Sequence, residues 1–81
     1  MNRISAKQDS NHVLVDLGNA IKTRRKDMLK SQEELADDSG VERSHMGKIE
    51  RGERNVTLLN LLRIAKALKC QPSDLLKDAG V

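Results

Sequence analysis

Residues 31–52 read SQEELADDSGVERSHMGKIERG. Ser31 opens a helix. Ser-Gln-Glu-Glu places Glu34 three residues on, so each residue can bond the other's backbone N–H in a capping box. Glu33 and Glu34 also sit at the positive end of the helix dipole. Leu35 and Ala36 turn inward. The helix is short, because Asp37, Asp38, Ser39 and Gly40 follow, and Gly40 takes a left-handed conformation that glycine adopts cheaply. Val41 drops back into the core. A second helix runs from about Arg43 to Arg51, with Met46 and Ile49 inward and Ser44, His45 and Lys48 on the other side. Gly52 ends it. Gly47 costs this helix roughly 1 kcal/mol of propensity relative to alanine, which implies close approach, either to a neighbouring helix or to a DNA backbone. Two short helices joined this tightly form a helix-turn-helix, whose second helix is shaped to enter a DNA major groove.

The flanks complete an all-helical chain. Val13 to about Met28 carries Leu14, Leu17, Ala20, Ile21 and Met28 at helical spacing, with Lys22, Arg24, Arg25 and Lys26 on the polar side. Leu29 and Lys30 form the link. Residues 1–12 are polar and aperiodic and read as a flexible N-terminal arm; phosphate contact by Arg3 and Lys7 is an alternative to plain disorder there. Residues 13–81 read as one helix-turn-helix domain. After a loop at 53–56, Thr57 caps a fourth helix ending near Lys69. Its inward stripe is Leu58, Leu61, Leu62, Ala65 and Leu68, widened by Leu59 and Ile64. Gln71-Pro72 starts a last short helix, since proline suits the first helical position, and Leu75 and Leu76 close the core. The expected architecture is compact and all-α, with five helices.

Composition narrows the function. Eighty-one residues make one small domain, with 37% hydrophobic residues and no aromatics, so the core is aliphatic. The net charge of +3 is mild, and the placement of charges must decide its meaning. The one cysteine, Cys70, cannot form an internal disulfide, no Cys/His cluster has zinc spacing, and the chain fits a reducing cytosol. No apolar run approaches the roughly 18 residues of a membrane span, and residues 1–12 lack the apolar centre of a signal peptide. Catalysis needs converging titratable groups. His12 and His45 lie in different settings, Cys70 has no histidine near it in sequence, and there is no glycine-rich phosphate loop. No enzymatic activity and no cofactor are implied. The absence of aromatics also argues against single-stranded RNA, which is bound largely by stacking.

Duplex DNA needs phosphate contacts for affinity and base contacts for choice. Arg43, at the front of the second motif helix, carries a planar fork that matches guanine O6 and N7. Ser44 can donate to a base or a phosphate, and Lys48 lies about one turn further on. Gln32 heads the first motif helix, where its amide and the helix N–H groups can meet a phosphate.

From Leu17 to Leu76 the chain resembles the Xre/Cro-type helix-turn-helix proteins, which include the lambdoid phage repressors. The matching motifs are Leu17-Gly18 with Ile21 and Arg25, Ser31 to Ala36, Gly40-Val41, Ile49-Glu50-Arg51-Gly52, Leu58 to Leu68, and Leu75-Leu76. The resemblance implies a DNA-binding transcriptional regulator of lambda-repressor-like fold. It implies that Gln32 clamps a phosphate and supports base contacts. It implies that Glu42, Arg43, Ser44 and Lys48 read or flank bases, and that Arg51 and Arg54 meet the backbone. Arg25 and Glu50 match a structural salt bridge between the first and third helices. Three departures stand out. Leu29 and Lys30 replace a usual glycine and apolar residue, Lys69 stands where glycine is usual, and Glu42 puts an acid on the reading helix. Against phosphate Glu42 repels; against cytosine N4 it accepts a hydrogen bond. Arg43-Ser44-His45, Ile49-Glu50-Arg51 and Arg54-Asn55-Val56 also resemble the controller proteins of restriction–modification systems. There a similar Arg-Thr-Tyr begins the reading helix, with His45 standing for the tyrosine. A phage or prophage repressor and a chromosomal regulator are the alternatives.

One short reading helix offers few base contacts, so homodimeric binding to half-sites about 34 Å apart is expected. Leu59, usually polar in the family, with Leu62, Lys66, Leu76 and Val81, forms a candidate self-complementary patch. The competing function is the antitoxin of a toxin–antitoxin pair, a protein-interaction module that also binds DNA. An arm of only 12 residues is short for wrapping a toxin.

Overall fold

The computed structural model describes Asp9 and residues 12–81. Among the described residues there are five helices and no strand: α1 (Val13–Asp27), α2 (Gln32–Ser39), α3 (Arg43–Glu50), α4 (Leu58–Ala67) and α5 (Pro72–Asp78). Arg3 and Lys7 lie outside the described residues.

Local chemistry starts each helix. Asp9, within the stretch assigned to the arm, caps α1: its carboxylate accepts from Val13 N at 3.0 Å and Leu14 N at 2.8 Å. This satisfies two of the orphan donors at a helix start and places a negative charge at the positive end of the dipole. In α2 the capping box forms in both directions, with Glu34 N to Ser31 Oγ at 3.0 Å and Ser31 N to Glu34 Oε1 at 2.9 Å. Thr57 Oγ1 accepts from Asn60 N at 3.2 Å to open α4. Pro72 is the first residue of α5, and Gln71 N donates to Asp74 at 2.9 Å.

The helix ends share one geometry. Gly40, Gly52 and Gly80 follow α2, α3 and α5 with φ of 74°, 75° and 82°, whereas Leu29 and Lys69 take the same left-handed turn at 57° and 56° after α1 and α4. Crossed backbone bonds close both of the latter turns. Leu29 N reaches Lys26 O and Lys30 N reaches Arg25 O; Lys69 N reaches Lys66 O and Cys70 N reaches Ala65 O. The two departures from glycine therefore leave the helix ends in place, at a cost of roughly 1–2 kcal/mol each for a side chain in this conformation. Leu29 is 91% exposed, so its side chain returns little. Leu29→Gly is expected to stabilise the protein by about 0.5–1 kcal/mol after the extra freedom of glycine in the unfolded chain is subtracted. Thermal unfolding followed by circular dichroism should show a rise of a few degrees, and a fall would mean that Leu29 makes a stabilising contact.

The core draws on every helix. Ile21, Leu35, Met46, Ile49, Ile64 and Leu75 are fully buried. The inward face of α4 differs from the sequence reading. It consists of Leu61, Ile64, Ala65 and Leu68 (the last just past the helix), while Leu58, Leu59 and Leu62 are 68%, 65% and 42% exposed. Contacts from α2 and α5 cover one side of α4, and with leucine at both ends of the turn the spacing alone does not say which side. Where α1 crosses α3, Gly18 is buried and the two backbones touch: a Cβ there would lie 2.4 Å from Glu50 O and 2.6 Å from Ile49 O.

Candidate nucleic-acid interface

A buried polar network sets the position of α3. Arg25 and Glu50 are 7% and 4% exposed. Arg25 Nε donates to Glu50 Oε2 at 2.8 Å and its Nη2 to Oε1 at 2.9 Å, a two-pronged pair between α1 and α3. Arg25 Nη1 donates to Lys30 O at 2.8 Å, which ties in the turn before α2. Gln32 Nε2 completes the network by donating to Glu50 Oε1 at 3.1 Å. A carboxylate only accepts, so the amide nitrogen of Gln32 faces Glu50 and its Oε1 is turned towards α3. Gly47 makes room there: a Cβ would lie 3.4 Å from Gln32 Oε1 and 3.2 Å from Arg51 Nη1. The close approach implied by Gly47 is thus made by two side chains.

The outer face of α3 collects the candidate contact residues. Arg43 is its first residue and exposed; Ser44 is exposed; His45 and Lys48 are half-buried. Glu42, Ser44, His45 and Lys48 line a shallow depression of about 320 Å³, joined by Arg54 from the following loop and Asn60 from α4. Glu42 occupies the cap position of α3 without capping it and instead accepts from Ser44 Oγ at 3.1 Å. The hydroxyl proton of Ser44 is thereby engaged, which leaves its oxygen able to accept. Arg51 forms an exposed pair with Glu53, Nε to Oε2 at 2.7 Å. That guanidinium holds the Glu53 carboxyl below the usual carboxylate range. Exposed pairs of this kind contribute about 0–1 kcal/mol and exchange readily for another anion.

Placement of the remaining candidates is uneven. Gln32 is half-buried at the head of α2 and belongs to the network as well as to the surface. Leu59, Leu62, Lys66 and Val81 are exposed, whereas Leu76 is half-buried against the core. Asn60 escaped the sequence reading. Its signal is a single amide inside Leu58-Leu59-Asn60-Leu61-Leu62, a polar position that an apolar helix has no packing reason to hold.

This arrangement of helices, with α2 and α3 meeting at Gly40 and a cation-bearing α3 held from behind, defines a helix-turn-helix protein. The Helix-turn-helix family HTH_3 matches residues 21–75, and the chain belongs to that family. Among its relatives are restriction–modification control proteins. It is 49% identical over 51 residues to control protein C.SmaI of Serratia marcescens, covering 63% of this chain and 61% of that protein. It is 52% identical over 46 residues to control protein C.BamHI of Bacillus amyloliquefaciens, covering 57% of each. The matched region therefore spans about 60% of the length of these relatives. The crystal structure of the controller protein C.AhdI from Aeromonas hydrophila is similar with a TM-score of 0.75 and 45% identity, over 76% of this chain and 94% of that one.

Proposed function

We propose that this chain is a sequence-specific DNA-binding transcriptional regulator of the restriction–modification control class, acting as a homodimer with α3 in the major groove. The observation that carries the reading is the division of labour around α3. Arg25, Glu50 and the amide of Gln32 are bonded behind it, while Ser44, Lys48 and Arg54 line the depression in front and Arg43 is exposed at its first residue. A reading helix needs both a fixed pose and polar groups aimed outward. The likeness to control proteins supports the class. Pairing is supported by the exposed Leu58, Leu59 and Leu62 on α4, an apolar face that a second copy would cover.

Selection of bound duplexes from a random library, with sizing of the complex, tests this. The expected result is a two-fold-related site with half-sites about one helical turn apart, bound by two chains. On that site Arg43→Ala should cost roughly 1–3 kcal/mol and relax the preference at one base pair. An equal loss on every sequence would remove Arg43 from the reading set, and a library that yields no enriched site would end the proposal.

A further inference from the structure

The reading depression reaches Gly40 and Asn60, and a second depression of about 580 Å³ begins at Ser39 and Arg63. The two are neighbours: one residue back along α2 and three on along α4. Lys30, Arg63, Lys66 and Lys69 rim the second. Its one carboxylate, Asp38, is ion-paired with Lys30. Arg63, Lys66 and Lys69 are exposed, and none of them has an ion pair among the described residues. Three-residue spacing sets them along one side of α4 and its end. They take no part in the core or in the network behind α3.

We propose that this cationic track binds the phosphates of duplex DNA flanking the half-site read by α3. The inference rests on the proposed role of α3. Arg63 to Lys66 spans about 4.5 Å of helix rise within α4, and Lys69 lies in the turn just past its end. This is the scale of roughly one to two phosphate intervals along one strand. The track adjoins the reading depression, so a duplex seated on α3 brings its own flank towards it. Arg63, Lys66 and Lys69 leave the rim cationic after Lys30 and Asp38 pair, and that charge suits a phosphate backbone.

The test compares two duplexes carrying the selected site, one ending at its edges and one extended by about one helical turn on each side. The wild-type protein should bind the longer duplex more tightly and with a steeper salt dependence. Arg63→Gln with Lys69→Gln should abolish that advantage and remove about 2 from the salt slope per protomer, leaving affinity for the short duplex within twofold. Arg63→Lys with Lys69→Arg should retain the advantage. Lys66 stays unchanged because it neighbours Leu62 on the face proposed for pairing. Equal losses on both duplexes, or none on either, would overturn the track. So would a wild-type protein indifferent to the flank that binds polyglutamate through Arg63 and Lys69, which would point to an acidic protein partner. Failure of both duplexes to compete against random DNA would instead sink the reading of α3.

Discussion

Gly18→Ala is expected to destabilise the protein by about 3 kcal/mol or more, although alanine is the better helix former by roughly 1 kcal/mol. The reason is the α1–α3 crossing. The added Cβ would meet Glu50 O at 2.4 Å, Ile49 O at 2.6 Å and the Glu50 carbonyl carbon at 2.8 Å. These are backbone atoms at the end of a packed helix and cannot rotate away. Overpacking typically costs about 1–3 kcal/mol, and the lever on α3 adds to it: pushing Glu50 from α1 also stretches its bonds to Arg25. For a domain of this size each kcal/mol moves the midpoint by about 4–8 °C, so a drop of roughly 12–24 °C is expected. The chain has no aromatic residue, so helical circular dichroism is the suitable probe. DNA affinity should fall even at temperatures where the variant is folded, because the pose of α3 changes. An unchanged midpoint would show that the backbones do not meet at Gly18.

Glu50→Ala should be of similar severity, costing about 3–5 kcal/mol, because it leaves the Arg25 guanidinium buried without its carboxylate. Net stabilities are about 5–15 kcal/mol, and a chain of this length lies towards the low end, so much of the variant should be unfolded at room temperature. The double variant Arg25→Met with Glu50→Leu removes both charges and should recover at least about 2 kcal/mol of that loss. Recovery stays incomplete, since Lys30 O and Gln32 Nε2 each lose a partner. Urea unfolding of Arg25→Met alone, Glu50→Leu alone and the double measures this coupling. Additive losses would mean that the pair contributes nothing as a pair. The double variant should still bind DNA poorly, because Gln32 is no longer anchored.

Where structure follows from adjacent residues, the sequence announces it. Ser31 with Glu34, Gly40, Gly52, Thr57 and Pro72 set helix ends within two residues of those observed, because capping and left-handed turns are local chemistry. The phase of α4 was not legible: Leu58, Leu61 and Leu62 are equally apolar, and only the arrival of α2 and α5 decides that Leu58 and Leu62 face out. Nor was the cap from Asp9, which depends on the turn at His12 folding the chain back. Within the site, Arg25 and Glu50 were paired through the family resemblance. The bond from Gln32 to Glu50 joins residues 18 apart through tertiary packing, which no periodicity encodes. The bond from Ser44 to Glu42 turns a donor in the sequence reading into an acceptor.

The network behind α3 has a bearing on descent. Substitutions at Arg25, Glu50 or Gly18 jeopardise folding, whereas Arg43 and Ser44 are exposed and outside that framework. Most exposed substitutions of this kind change stability by less than about 0.5 kcal/mol. Lineages carrying this framework can therefore exchange residues on the outer face of α3 in single steps, without passing through unfolded ancestors.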